Sequence, residues 1–525
     1  MVQGTASSVG KSLVAAALCR IFSREGLRVA PFKSQNMSNN AAALPDGREI
    51  GRAQHLQALA ARVAPEAAMN PILLKPESDR RSQVVVMGKP WASLEGRDYY
   101  SRRAELWSCV QAAYRDLESR FDLIVIEGAG SPAEINLQAT DMANMAVARL
   151  ARAPVILVAD IDPGGVFAQV VGTIALLPLE DRNRVKGIVI NKFRGDMDLL
   201  KPGLEELEEL TGVPVLGVIP MLPRLGLPDE DGATIAAATQ AVVQGAAAQG
   251  KDRLDIAVIK LPHISNFDDF DPLAAEPGVR LRYVDDPLAL GLPDVVVLPG
   301  TKATRSDLAW LWEKGFGDGI RWLSRLGTHV VGLCGGFQML GERVTDLGGV
   351  EGKPGISRGL GLLALETSLE DEKTVRPVSG WVSESAGGVL KPLAGVGVKG
   401  YEIHCGRTSP SPPRQVRQSS HGREAFPFTI LETTQEPWPL AEPCPLAGKA
   451  CFDGAQSEGG GVWGTYVHGI FASDEFRSAW LRGLGVEAKL FNAAAEVDKA
   501  LDWLADAVFA SLDMEALNGI VQISP

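Results

Sequence analysis

The stretch Gly4-Thr-Ala-Ser-Ser-Val-Gly-Lys-Ser12, running straight into Leu13-Val-Ala-Ala-Ala-Leu-Cys-Arg-Ile21, constrains this chain more than any other. A short apolar start, a loop bracketed by glycines and an apolar helix aim unpaired backbone N–H groups and a helix dipole at one spot. That spot suits a phosphate chain. Lys11 can reach terminal phosphates and Ser12 can ligate magnesium, so the segment predicts an ATP site built from Gly4, Thr5, Gly10, Lys11 and Ser12. Five residues, not the usual four, separate Gly4 from Gly10, and only Met1, Val2 and Gln3 come before the loop. The first strand is therefore expected to be short, or the native start to lie upstream.

A loop of this kind needs a parallel sheet behind it. Phe121-Asp-Leu-Ile-Val-Ile126, Pro154-Val-Ile-Leu-Val-Ala159, Val185-Lys-Gly-Ile-Val-Ile190 and Pro214-Val-Leu-Gly-Val-Ile219 have strand length and are almost continuously apolar. That is the pattern of strands covered on both faces, and its alternation with helical segments predicts an α/β layer domain. Ligand-facing loops in such a sheet follow the carboxyl ends of the strands. Glu127 is thus a candidate magnesium ligand beside Ser12, Asp160 and Asp162 are further candidates, and Asn191 with Lys192 is placed to read an adenine edge.

At 525 residues the chain exceeds what one hydrophobic core supports. Residues 229–252 turn acidic and then rich in Ala, Gln and Gly, after which strand-like runs resume at Ile256-Ala-Val-Ile259 and Val295-Val-Val-Leu298. The expected organisation is a nucleotide-binding domain at 1–228, a linker at 229–252, a second α/β domain at 253–477 and a helical extension at 478–525. Pro, Ser and Gly between 407 and 461 predict long loops there. A net charge of −12, with no run of Lys or Arg against it, makes nucleic acid a poor partner. No apolar run approaches the roughly 20 residues of a membrane helix, and no charged-then-apolar leader opens the chain. Six cysteines are too few for a disulfide scaffold at this length and include no C-x-x-C pair, so a reducing cytoplasm is expected. Oligomeric state is left open.

One cysteine stands apart. Val331-Gly-Leu-Cys-Gly-Gly-Phe-Gln-Met-Leu-Gly341 reads as an apolar strand, a cysteine between small residues, then a helix. On such an elbow Cys334 is presented on a tight turn, where the helix N-terminus favours thiolate and the next backbone N–H can stabilise an oxyanion. A cysteine nucleophile needs a base. His468, in Gly464-Thr-Tyr-Val-His-Gly-Ile-Phe471, is the leading candidate, and His404, in Gly400-Tyr-Glu-Ile-His-Cys-Gly406, is its rival.

The elbow, the histidine segment and the upstream Leu298-Pro-Gly-Thr-Lys-Ala-Thr304 resemble the glutaminase domain of class I-type glutamine amidotransferases. The resemblance implies that Cys334 attacks the side-chain amide of L-glutamine, forms a thioester and releases ammonia. It also implies that Gly300 and the backbone of Gly335 form the oxyanion hole, with Gln338 in the glutamine-binding group. Main-class members carry Pro-Glu after the histidine, whereas Gly469 and Ile470 follow here. The acid of the triad is therefore missing, and the group that orients His468 is left open. That departure is the one made by the cobyric and cobyrinic acid amidating branch.

The phosphate loop resembles that of dethiobiotin synthetase and its amide-forming relatives, so the expected fold is a P-loop parallel-sheet domain followed by an amidotransferase α/β domain. Phe32-Lys-Ser-Gln-Asn-Met-Ser-Asn-Asn40, Glu49-Ile-Gly-Arg-Ala-Gln54, Met69-Asn-Pro-Ile-Leu-Leu-Lys-Pro76, Glu127-Gly-Ala-Gly-Ser-Pro-Ala-Glu-Ile-Asn136 and Asn191-Lys-Phe-Arg-Gly-Asp196 resemble the cobyric acid synthase family. This implies amidation of four carboxylates of a corrinoid, each with one ATP, magnesium and one glutamine. Ser34, Gln35, Asn36 and Asn39 supply hydrogen-bonding groups for a corrinoid edge, and Asp141 either handles substrate near the phosphates or caps a helix. Free ammonia is mostly protonated near neutral pH, so an internal route from Cys334 is expected. A cobyrinic acid a,c-diamide synthase is the nearest alternative. A partition-type ATPase switch is a different class, and the second domain argues against it.

Overall fold

The computed structural model describes residues 1–77, 80–223, 225–228, 253–411, 427–432, 450–488 and 491–521; the expected linker at 229–252 lies outside them. Val2–Gly4, Val155–Asp160, Val185–Phe193 and Val215–Pro220 lie side by side in that order, all parallel. Val29–Phe32 pairs in parallel with Leu123–Ile126, and the bridge between Val2 and Glu127 joins this pair to the larger sheet. Successive residues of the central strand fall into different cores. Ile156 and Val158 pack with helix Lys11–Arg24, while Val155, Leu157 and Ala159 pack with helix Val166–Leu176. Both faces are covered, which is why these runs lack the alternation of a half-exposed strand. The parallel register brings the phosphate loop, Glu127, Asp160 and Asn191 to one edge of the sheet.

The second domain repeats this logic. Val279–Val284, Leu254–Ile259, Val295–Leu298, His329–Leu333 and Val462–Thr465 are parallel, and Ala455–Gln456 closes the edge antiparallel. The stretch 407–461, expected as loops, is partly sheet. Leu365–Val382 and Gly397–Pro410 form a long antiparallel arm, extended by Phe428–Glu432 and Ala450–Asp453. Ladder hydrogen bonds come from the backbone, so pairing with a long neighbour overrides a composition that favours turns; the rest of that stretch, 412–426 and 433–449, lies outside the described residues.

The boundary expected at 477/478 falls inside helix Asp474–Gly483, which buries Phe476, Trp480 and Leu481 in the second domain. The chain then returns to the first. Helix Ala493–Ser511 lays Leu501, Leu504, Ala505 and Val508 on helix Lys11–Arg24, and buried Arg20 pairs with Asp498 at 2.5 Å and Asp502 at 3.2 Å. Between the domains, buried Glu49 takes Lys75 at 2.5 Å from its own side and Lys373 at 2.6 Å from the long arm. Among the described residues no helix is long and apolar enough to cross a membrane.

Candidate active sites

The phosphate loop is shaped by two left-handed residues, Ser8 at φ 57° and Gly10 at φ 100°. At Gly10 a Cβ would sit 2.2 Å from Asn191 Nδ2, so only glycine fits. Asn191 Nδ2 donates to the Val9 carbonyl at 2.8 Å, and Lys192 Nζ donates to the Ser8 carbonyl at 2.8 Å and to Asp160 at 2.7 Å. The residue read from the sequence as an adenine contact thus stands as a brace behind the loop. Lys11 Nζ lies across the loop, donating to the carbonyls of Ala6 at 2.8 Å and Gly130 at 3.2 Å. Thr5 Oγ1 donates to Gln169 at 3.3 Å.

Glu127 is the hub of this edge. Its Oε1 accepts from Ser12 Oγ at 2.8 Å and Lys33 Nζ at 2.9 Å, and its Oε2 from Gln57 Nε2 at 2.6 Å. Burial would raise its proton affinity. The Lys33 charge and these hydrogen bonds outweigh that and hold the carboxyl below the usual carboxylate range. Magnesium prefers one or two protein oxygens, with phosphates and water completing an octahedron of ~2.1 Å bonds whose edges are about 3 Å. Ser12 Oγ and Glu127 Oε1, which hydrogen-bond to each other at 2.8 Å, are oxygens of the kind such a shell takes from a protein.

In the second domain Cys334 occupies the elbow at φ 50°, ψ −110°, a conformation few non-glycine residues adopt. Packing imposes it. A Cβ on Gly336 would lie 2.0 Å from the Leu298 carbonyl oxygen, and one on Gly335 would lie 2.7 Å from Thr301 Cγ2, so strand, elbow and helix close up only with glycines there. The Cys334 thiol points to the Ile403 carbonyl at 3.5 Å. His468, buried, lies beside Cys334, and its Nδ1 lies 2.7 Å from Asp269 Oδ2. Asp269 Oδ1 also accepts the Gly469 N–H at 2.7 Å. Burial works against the imidazolium, but the charge of Asp269 and the contact with Cys334 prevail and raise His468 to about 10. Tyr401 stacks on the imidazole with ring centroids 5.4 Å apart. A Cβ on Gly300 would come within 2.9 Å of His468 Cε1, which keeps the loop and the histidine in contact. Gln338 is buried, accepting from Thr304 Oγ1 at 3.1 Å and donating to Tyr466 at 3.3 Å.

The nucleotide-binding half matches the CobQ/CobB/MinD/ParA nucleotide binding domain over residues 1–235, and the second half matches the CobB/CobQ-like glutamine amidotransferase domain over 255–476. Over its length the chain is 48% identical to the cobyric acid synthase of Moorella thermoacetica, covering 99% of this chain and 96% of that one. It is also 48% identical to that of Sorangium cellulosum, covering 99% and 98%, and 46% identical to that of Salmonella typhimurium, covering 99% and 98%. The chain belongs to the cobyric acid synthase family. It is an amidating enzyme of two α/β domains, and neither alternative class is favoured.

Placed in this family, the histidine rivalry has a geometric answer. His404 Nδ1 contacts the Gly406 carbonyl at 2.8 Å and its ring stacks on Tyr466 at 3.8 Å, so it serves the arm while His468 meets Cys334. The polar run divides in two. Ser34 donates to the Met142 carbonyl at 2.6 Å and Asn36 to Gln54 at 3.0 Å, both buried, so these two shape the domain. Gln35 accepts from Tyr99 at 2.6 Å, and Asn39 Oδ1 has no hydrogen-bond partner among the described residues. Asp141 accepts from the N–H groups of Ala143, Asn144 and Ala146 at 2.8–2.9 Å at the start of helix Met145–Leu150, contacts that belong to the capping role of the two expected for it. Asp269 and Lys33 were missed as site residues. An acidic pair after a strand end was the available signal for Asp269, but nothing local ties it to a histidine 199 residues away.

Proposed function

We propose that the chain amidates the b, d, e and g carboxylates of adenosylcobyrinic acid a,c-diamide to give adenosylcobyric acid, in the cytoplasm, using one ATP and one L-glutamine per amide. The observation that carries this reading is a strained Cys334 backed by His468 and Asp269 in one chain with a phosphate loop. His468, its proton affinity raised, already holds the thiol proton when Sγ attacks the glutamine amide carbon. It returns that proton to the leaving ammonia, and water then hydrolyses the thioester to glutamate. Backbone N–H groups near Gly300 and Gly335 take the oxyanion. Asp269 holds the imidazole with Nε2 toward the sulfur, the part an acid plays in a triad.

In the first domain a corrinoid carboxylate attacks the terminal phosphorus of ATP, releasing ADP and leaving an acyl phosphate. Ammonia adds to its carbon and phosphate departs. Lys11 offsets charge on the transferring group. Magnesium held by Ser12 and Glu127 would supply further charge neutralisation at the phosphates. Gln35 and Asn39 keep polar atoms for the corrinoid edge, while Ser34 and Asn36 hold the run in shape. The test is mass spectrometry of the a,c-diamide incubated with enzyme, ATP, magnesium and glutamine. Four successive losses of about one mass unit, each a hydroxyl exchanged for an amino group, are expected; an unchanged mass, the outcome for an enzyme confined to the a and c carboxylates, would overturn the reading.

A further inference from the structure

The turn that carries Asp269 is held from the other domain. Asn266 opens it in the left-handed region at φ 51°, ψ 41°. Its backbone N–H donates to Asn40 Oδ1 at 2.8 Å, and its Nδ2 donates to the Ala41 carbonyl at 3.1 Å and to Tyr401 Oη at 2.9 Å. Two residues on, Asp268, with its side chain 2% exposed, meets Arg52 Nη2 at 2.5 Å. Asp269 comes next and takes His468. Asn40, Ala41 and Arg52 all belong to the nucleotide-binding domain, so contacts from that domain end three residues and one residue before the triad acid.

We infer that Arg52 is a positioning residue for the glutaminase, through which the nucleotide-binding domain completes the ammonia-producing site. The inference rests on the reading of Cys334 and His468 as a glutaminase. Asp268 and Asp269 are neighbouring carboxylates, both buried, facing one imidazole. Arg52 supplies the second positive charge. With it in place Asp268 has its own partner and Asp269 is left to orient His468. Without it two buried carboxylates share one cation, and the turn relieves their repulsion by moving or by taking up a proton. Either outcome disturbs the Nδ1 contact, not the phosphate loop. Tyr401 carries the same dependence by a second path. Its hydroxyl rests on Asn266, its ring stacks on His468, and its backbone N–H and carbonyl pair with those of His468 at 3.1 Å and 2.8 Å.

The test compares two nitrogen sources in the full-length enzyme. Wild type, Arg52→Met, Arg52→Lys and Asn40→Ala are assayed for ATP-dependent amidation driven by glutamine and, separately, by high ammonium chloride, and thermal melts check folding. Arg52→Met should lose about tenfold or more of the glutamine-driven rate, in kcat and not in the KM for glutamine, while the ammonium-driven rate stays within about twofold. Arg52→Lys, which keeps the charge, should recover part of the loss, and Asn40→Ala should show the same split more weakly. Equal falls in both rates, or an unchanged glutamine-driven rate, would overturn the inference. If Arg52→Met does not fold, the lysine and alanine variants decide by the same split. A Cys334→Ser enzyme that still used glutamine would sink the glutaminase reading itself, which separates the two failures.

Discussion

His468 Nδ1 and Asp269 Oδ2 lie 2.7 Å apart although 199 residues separate them in the chain. The pair restores the acid that the Gly469-Ile470 sequence lacks, from a turn in front of the sheet and not from the histidine's own loop. Asp269→Asn should lower the glutaminase kcat by on the order of 10²-fold or more, since the imidazole loses both its orientation and its charge partner. Ammonium-driven amidation should persist. Equal rates with glutamine in variant and wild type would remove Asp269 from the triad.

The same pair sets a pH dependence of stability. The proton affinity of His468 is raised in the folded state from 6.5 to about 10, against burial, by Asp269 and Cys334. A raised group stabilises the fold fully below its unfolded value and loses that contribution as pH climbs through the folded one. Melting temperature should therefore decline between about pH 6.5 and 10, more steeply in wild type than in Asp269→Asn. Parallel curves would count against the ion pair.

Gly336→Ala tests the elbow. Its Cβ would meet a backbone oxygen at 2.0 Å, and a strand cannot yield as a side-chain tip can. Glutamine hydrolysis should fall to background while nucleotide binding, followed by fluorescence titration, is kept.

Glu49→Gln should destabilise docking of the domains. Burial would raise this carboxyl, but the charges of Lys373 and Lys75 outweigh it and hold it down at about 2. Neutralising it leaves two buried ammonium groups facing each other, a loss of about 3–5 kcal/mol. Urea unfolding should show the two domains separating into distinct transitions. A single unshifted transition would contradict this.

Ending the chain at residue 491 should impair the first domain, not the second. Helix Ala493–Ser511 covers an apolar face of helix Lys11–Arg24 and neutralises Arg20, which is wholly buried. The truncated protein should bind nucleotide poorly and expose apolar surface to a hydrophobic dye, whereas an unchanged melt would show the helix to be dispensable.

The two α/β domains, the phosphate loop and the elbow were legible because each depends on residues adjacent in sequence, whereas His468 stood out from His404 only through the family resemblance. A loop bracketed by glycines ahead of a helix, an almost continuously apolar strand and a cysteine among glycines carry their constraints locally. Single side chains were less legible. Asp141 could cap a helix or handle substrate, and its three backbone contacts, which belong to the first role, appear only in the fold. Asn191 lies near the end of strand Val185–Phe193, close to the expected place, but its amide faces inward to Val9.

What the sequence by itself determined is the pair of parallel-sheet domains and the positions of Lys11 and Cys334, since periodicity and turn chemistry act over a few residues. What only the tertiary structure decided is everything joining distant segments: Asp269 on His468, Arg52 on Asp268, and the last helices folding back on the first. Those contacts draw their energy from desolvated charge and buried apolar area at surfaces that exist only after folding. A buried carboxylate must find a partner, yet its own sequence does not say which one.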